Sequence, residues 1–286
     1  MVEGTISELI QYGATILDEN NVQNPILEAQ ILLAQNLNVD RLYILMNVEE
    51  KVKEGIVSKY TNDILRRCNG VPTQYITKTQ EFMSLKFKVN ESVLIPRPDT
   101  EILVEQVVRC VNTQKELCIL DIGTGSGCIA VSIAKYIDNA IIHAVDISEN
   151  ALEVAKINAE INDVEKRIIF YKGNIFSPFE TLNMKFDVIV SNPPYIPTKE
   201  IEKLDINVKD YEPRLALDGG SDGLDYYRKI VKDAESFLKK DGLIFFEIDF
   251  TQADDVKELL RIYGFTDILV VKDLAGLNRV IQARLL

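Results

Sequence analysis

The stretch Asp121-Ile122-Gly123-Thr124-Gly125-Ser126-Gly127 limits what this chain can fold into more than any other, because an apolar β-rich run precedes it and a helical pattern follows at once. Alternating glycines let the backbone turn sharply from strand to helix and approach a ligand with no Cβ in the way. Such a turn belongs to an α/β sheet. The chain beyond about residue 115 agrees, with β-rich runs at 117–122, 141–146, 168–172, 186–191, 242–248, 267–272 and 279–285. Helical patterns near 126–137, 149–162, 223–240 and 252–262 separate most of them. This alternation predicts a largely parallel sheet with helices on both faces. The last three runs enclose one helix, which points to an antiparallel strand at the carboxyl end.

Upstream the period is helical. Thr5 and Glu8 have capping-box spacing ahead of Ile6, Leu9, Ile10 and Leu17, and Asn24-Pro25 reads as an N-cap followed by proline at the first helical position. Ile56, Val57, Tyr60, Ile64 and Leu65 mark a further helix before the breaker Asn69-Gly70-Val71-Pro72. Residues 1–72 are therefore expected to form a small helical bundle with a substrate-recognition role. Residues 73–100 are expected to be a connector in which Leu85, Phe87 and Val89 alternate with lysines as a strand or hairpin. It ends in two prolines, Pro96 and Pro98, after which a helix capped by Asp99 or Thr100 is expected. Residues 101–286 form the expected catalytic domain.

The glycine loop predicts a ligand cleft at the carboxyl end of its strand. Asp146 closes the next strand about twenty residues later, where a carboxylate can accept hydrogen bonds from both ribose hydroxyls of an adenosine; a dehydrogenase could use it in the same way. Two features favour a sulfonium over a dinucleotide. Position 128 is cysteine where a dinucleotide fingerprint wants glycine or alanine, and Asp121 suits a cation better than a pyrophosphate. A candidate S-adenosylmethionine site thus comprises Asp121, Gly123, Thr124, Gly125, Ser126, Gly127 and Asp146.

Ser191-Asn192-Pro193-Pro194-Tyr195-Ile196-Pro197 follows the fourth run. Prolines hold such a loop extended and remove donors, so acceptors remain: the side-chain carbonyl of Asn192 and the backbone carbonyl of Pro193. An amide or aromatic amine is a poor nucleophile because its lone pair is delocalised. Two converging carbonyls can hold its N–H bonds and present the nitrogen, with Tyr195 as a flat wall. Asn192, Pro193, Pro194 and Tyr195 are the candidate substrate contacts, with Asn192, Pro193 and Tyr195 catalytic.

The chain resembles the release factor glutamine methyltransferase family, often called PrmC or HemK. The resemblance lies in LIPRPDTE at Leu94–Glu101, DIGTGSG at Asp121–Gly127, NPPY at Asn192–Tyr195 and EPRLALDGGSDG at Glu212–Gly223. It implies a Rossmann-like class I S-adenosylmethionine-dependent methyltransferase domain, a mostly parallel seven-stranded sheet, preceded by a small helical bundle. It also implies methylation of the glutamine side-chain amide in the Gly-Gly-Gln motif of class I peptide chain release factors. Asn174 and Ile175 stand where the family often has an acidic residue for the adenine amine and then a large aromatic, so they join the cofactor candidates, as does Asn192. Asp249 replaces a common glycine after Glu247-Ile248. Relatives that methylate a ribosomal protein glutamine typically carry Arg-Ser-Pro where this chain has Arg97-Pro98-Asp99.

Composition excludes other classes. A net charge of −12 repels phosphate backbones, which counts against methylation of an exocyclic amine on a nucleic acid, although N-P-P-Y loops also serve flipped bases. One histidine, His143, leaves no basis for a multi-histidine metal site, and no metal is expected. The four cysteines lack C-x-x-C spacing and no apolar run reaches bilayer length, which makes a reducing cytoplasm the simplest location. A non-catalytic binding module is disfavoured by the joint presence of Asn192 and the Gly123–Gly127 loop.

Overall fold

The computed structural model describes residues 4–111 and 115–286. Contacts divide the chain into two units, Met1–Lys78 with Asp205–Tyr211, and Thr79–Leu204 with Glu212–Leu286. The first is helical: α1 (Ile6–Glu19), α2 (Pro25–Leu37), α3 (Arg41–Met46), α4 (Glu54–Cys68) and α5 (Thr73–Thr77). The expected capping box forms, with Glu8 N donating to Thr5 Oγ1 at 3.3 Å and Thr5 N to Glu8 Oε2 at 2.8 Å. Asn24 differs from expectation. Its backbone is left-handed (φ 52) and its side chain caps nothing, although Pro25 does open α2. Ile6, Leu9, Leu33, Tyr60 and Ile64 fill the core of this unit. Gly13 of α1 is where Tyr60 passes, since a Cβ there would lie 2.0 Å from the phenol oxygen that donates to Leu9 O.

The second unit begins with the hairpin β1 (Thr79–Phe82) and β2 (Leu85–Lys88), then α6 (Pro98–Cys110), β3 (Leu117–Ile122), α7 (Cys128–Tyr136), β4 (Ala140–Asp146), α8 (Glu149–Ile161), β5 (Ile168–Lys172) and β6 (Phe186–Ser191). After α9 (Ile206–Lys209), a turn inside the segment grouped with the helical unit, come α10 (Asp225–Phe237), β7 (Leu238–Glu247), α11 (Ala253–Ile262), β8 (Phe265–Lys272) and β9 (Asn278–Leu285). Helix α6 starts earlier than the sequence suggested. Pro98 is its first residue and Arg97 its extended N-cap, because a proline lacks only an N–H that would be unpaired there anyway. Likewise α10 ends at Phe237, three residues short of expectation, since buried Leu238 already pairs with Phe186.

The sheet order is β5-β4-β3-β6-β7-β9-β8, parallel except for β9, which runs antiparallel to both β7 and β8. Apolar residues of α6, α7 and α8 cover one face and those of α10 and α11 the other. The chain passes from β3 to β4 on one side and later returns to place β6 on the other. That reversal opens a crevice at the carboxyl ends of β3 and β6.

Candidate functional site

Strand register brings the two sequence motifs together. Ile122 pairs with Val145 of β4 and with Ser191 of β6, so Gly123, Asp146 and Asn192 leave three adjacent strands at one level. Ser191 Oγ donates to Ile122 O at 2.7 Å, and Gly123 N and Thr124 N donate to Val145 O, which ties the loops to the sheet edge.

A cavity of about 180 Å³ opens there. Gly123, Thr124, Gly125, Ser126, Asp146, Asn174, Ile175, Asn192, Pro193 and Pro194 all line it. Gly123 and Gly125 have positive φ, and a Cβ on Gly123 would stand in open space, so the loop keeps a bare backbone toward the cavity. Gly127 serves packing instead. A Cβ there would press to 3.0 Å on that of Ala155 in α8. Ile175 also has positive φ (54), an unusual conformation for a β-branched residue, at the cavity wall.

Two carboxylates set the electrostatics. Asp146 Oδ2 accepts from Gly125 N and Oδ1 from Ser148 N, both at 2.8 Å. Burial raises its pKa, while these backbone donors oppose the shift. Asp121 does not line the cavity. It lies fully buried beneath the loop, with Oδ2 accepting from Thr124 Oγ1 at 2.6 Å and Oδ1 without a partner. Burial pushes its carboxyl up to about 7, with the Thr124 hydrogen bond lowering it and nearby Asp146 raising it.

Tyr195 is likewise outside the lining. Ile196 donates through its N–H to Leu217 O, and its carbonyl accepts from Gly219 N, which turns the chain so that the Tyr195 ring packs against the core and its hydroxyl lies 3.4 Å from Glu247 Oε1. Asn192 donates through Nδ2 to Thr100 Oγ1 at 3.2 Å. His143 is remote from the chemistry, stacked on Tyr171 with its Nδ1 3.0 Å from the phenol oxygen. Among the described residues no group of His, Cys, Asp or Glu could hold a metal ion, and no helix is long and apolar enough to cross a membrane.

Several lining residues carried no role in the sequence reading. Leu94, Pro96, Arg97 and Thr100 come from LIPRPDTE, and Pro213, Leu215 and Ala216 from EPRLALDGG. Arg97 Nη2 and Glu212 Oε1 join these segments at 2.6 Å, the Glu212 side chain being buried. The signal lies in the motifs themselves, LIPRPDTE and EPRLALDGGSDG, whose residues carry the resemblance. The cavity offers carbonyl acceptors, carboxylates and apolar walls. Its thiol, Cys128, is pushed up to about 12 by burial and stays protonated, which makes it a poor nucleophile.

A family model described as the methyltransferase small domain matches residues 98–207, and one described as the PrmC N-terminal domain matches residues 8–77. The chain is 42% identical over 280 residues to a release factor glutamine methyltransferase from Clostridium acetobutylicum, covering 97% of this chain and 98% of that one. It is 40% identical to the protein of that name from Geobacter sulfurreducens, covering 98% and 97%. Among solved structures, a methyltransferase from Pyrococcus furiosus is similar in fold, with a TM-score of 0.52 at 19% identity over 79% of this chain and 98% of that one. The hMettl16 catalytic domain in complex with an RNA hairpin gives 0.55 at 17% identity over 82% and 84%.

Proposed function

The chain belongs to the release factor glutamine methyltransferase family, and from that premise we propose that it transfers a methyl group from S-adenosylmethionine to the side-chain amide nitrogen of the glutamine in the Gly-Gly-Gln motif of class I peptide chain release factors. The observation that carries this is a single cavity lined both by the Gly123–Ser126 loop with Asp146 and by Asn192, Pro193 and Pro194.

The residues fit the cofactor. The bare backbone at Gly123 and Gly125 leaves room for a ligand, and the unpartnered Asp121 Oδ1 and the Asp146 carboxylate favour a cation over a phosphate. S-adenosylmethionine supplies an electrophilic methyl on a sulfonium that carries its own leaving group. Asp146 would accept from the ribose hydroxyls, and Asn174 from the adenine amine with Ile175 against the ring. The loop from Gly123 to Ser126 would hold the charged end, with Asp121 acting from beneath the loop and Gly127 closing it against α8.

The substrate amide needs its two N–H bonds held and its nitrogen turned toward the methyl group. Asn192 Oδ1 and the Pro193 carbonyl would accept them, with Pro194 as an apolar wall. Tyr195 contributes from behind, by fixing the path of the loop. Residues 1–72 would hold the release factor, a role measured as the excess of kcat/KM for the intact factor over a free Gly-Gly-Gln peptide. Deleting them should abolish that excess; an undiminished excess would contradict the role. Release factors place this activity in the cytoplasm.

The test is single-turnover methylation at saturating cofactor. Asn192→Ala removes one of two acceptors and leaves the glycine loop alone, so the rate should fall by about 10²–10³-fold with cofactor affinity little changed. Asn192→Asp keeps an acceptor and should retain more activity. A folded Asn192→Ala protein working at the wild-type rate would make Asn192 structural and the amide-orienting mechanism wrong.

A further inference from the structure

We propose that Gln252 is a positioning residue for methyl transfer, whose side-chain amide clamps the loop that carries Pro193 and so aims the Pro193 carbonyl at the substrate. This rests on the role given to Asn192 and Pro193 above.

The need for a clamp follows from the two prolines. A carbonyl that has to meet a substrate N–H must be held to within about half an ångström, and a loop is ordinarily held by its own main-chain donors. Pro193 and Pro194 have none. Before them, Ser191 ends β6 opposite Phe246 of β7, and its hydroxyl donates to Ile122 O at 2.7 Å. After them, Ile196 and Thr198 pair with Leu217, Gly219 and Gly220. Among the described residues the first main-chain hydrogen bond past the prolines is the one accepted by the Tyr195 carbonyl, two residues on from that of Pro193. Its donor is Gln252.

Gln252 stands just ahead of α11, beyond the carboxyl end of β7, the strand beside β6, and it is buried. Its Nε2 donates to Tyr195 O at 3.0 Å and to Gly223 O at 3.2 Å, while Oε1 accepts from Asp249 N at 3.2 Å. These partners leave the amide one orientation. Main-chain carbonyls only accept and a main-chain N–H only donates, so the NH2 group must face Tyr195 and Gly223 and the oxygen must face Asp249. One side chain thereby ties together the loop after β6, the loop after β7 and the segment ahead of α10. Glycine makes the room for this. A Cβ on Gly219 would lie 2.8 Å from Pro194 O, and one on Gly223 would overlap the Tyr195 oxygen and stand 2.6 Å from Gln252 Nε2. Neither Gln252 nor Gly223 lines the cavity, so both act on the substrate only through the loop they hold.

The experiment is single-turnover methylation of a purified release factor by the full chain at saturating S-adenosylmethionine, with cofactor affinity measured by calorimetry and folding by melting. Wild type is compared with Gln252→Met, which keeps the length and removes both donors, and with Gln252→Asn, which keeps the amide but draws it back by one carbon. Gly223→Ala and Asn192→Ala complete the set. With both substrates saturating, each Gln252 variant should transfer methyl about tenfold more slowly or worse at unchanged cofactor affinity. Gly223→Ala should share the loss, since its methyl group takes the place of the Tyr195 oxygen. A residue that only stabilised the fold would lower the melting temperature and leave the rate of the folded enzyme alone. A folded Gln252→Met protein at the wild-type rate overturns the proposal, and so does a loss that appears in cofactor affinity instead of rate. If Asn192→Ala is slow while the Gln252 variants are not, only the clamp fails. If Asn192→Ala is itself as fast as wild type, the amide-orienting reading fails and the clamp with it. Should Gln252→Met not fold, Gln252→Asn decides.

Discussion

Asp121 shows how a single residue trades stability for a site. Its carboxyl has an ordinary value of 3.8 and is pushed up to about 7 by complete burial, with one oxygen left unpartnered. The folded-state value lies above the unfolded one, so the folded protein binds the extra proton between them. The cost of the buried charge is therefore absent below about pH 4, grows through 4–7 and is complete above 7. Asp121→Asn should raise stability at pH 8 by roughly 2–4 kcal/mol, with the gain vanishing near pH 4. Urea unfolding at the two pH values checks this, and an equal gain at both would show that burial of charge is not the cause. The same substitution should weaken S-adenosylmethionine binding, because it removes the negative charge beneath the glycine loop. Glu247, buried at the end of β7, is likewise pushed up to about 7 by burial.

At the scale of elements, one buried asparagine joins three of them. Asn158 of α8 accepts from Lys88 N at 2.6 Å and donates to Lys88 O at 2.9 Å and to Ser126 O at 2.8 Å, binding the end of the hairpin to the glycine loop. Asn158→Ala should cost about 1–3 kcal/mol by leaving those backbone groups unpaired, and Asn158→Asp more, because it sets a carboxylate against two carbonyls. Denaturant melts with the slope checked for two-state behaviour measure both; a loss under about 0.5 kcal/mol for alanine would deny the strap its role. Nothing in the sequence marked Asn158, which reads as one more polar residue on a helix. What was legible there was periodicity. Strands 117–122, 168–172 and 186–191 match to the residue because their apolar runs stop at glycine, asparagine or charge. The cleft was legible because Gly123 and Asn192 must sit at strand ends, and register then makes them neighbours. The walls from Arg97 and from Pro213, Leu215 and Ala216 were not, since irregular segments carry no period and are placed only by long-range pairs such as Arg97 with Glu212. The Tyr195 ring was not placed by the sequence for the same reason: its direction follows the backbone pairing of Ile196 with Leu217 and Gly219, farther along the chain.

At the scale of the whole molecule, two units share the chain, and the second is interrupted. Asp205–Tyr211 leaves the methyltransferase unit to group with Met1–Lys78, where Tyr211 donates to Asn69 O at 2.8 Å. Because the first unit draws on both Met1–Lys78 and Asp205–Tyr211, the full chain is the protein to use in a first test of activity. With 44 acidic against 32 basic residues, it favours a protein partner over a phosphate backbone. The most direct measurement of what the molecule does is tandem mass spectrometry of a purified class I release factor after incubation with the full chain and methyl-labelled S-adenosylmethionine, alongside a ribosomal protein and RNA as competitors. One labelled methyl is expected on the side-chain nitrogen of the Gly-Gly-Gln glutamine and none on either competitor. Label missing from that glutamine, or placed instead on the ribosomal protein or the RNA, would contradict it.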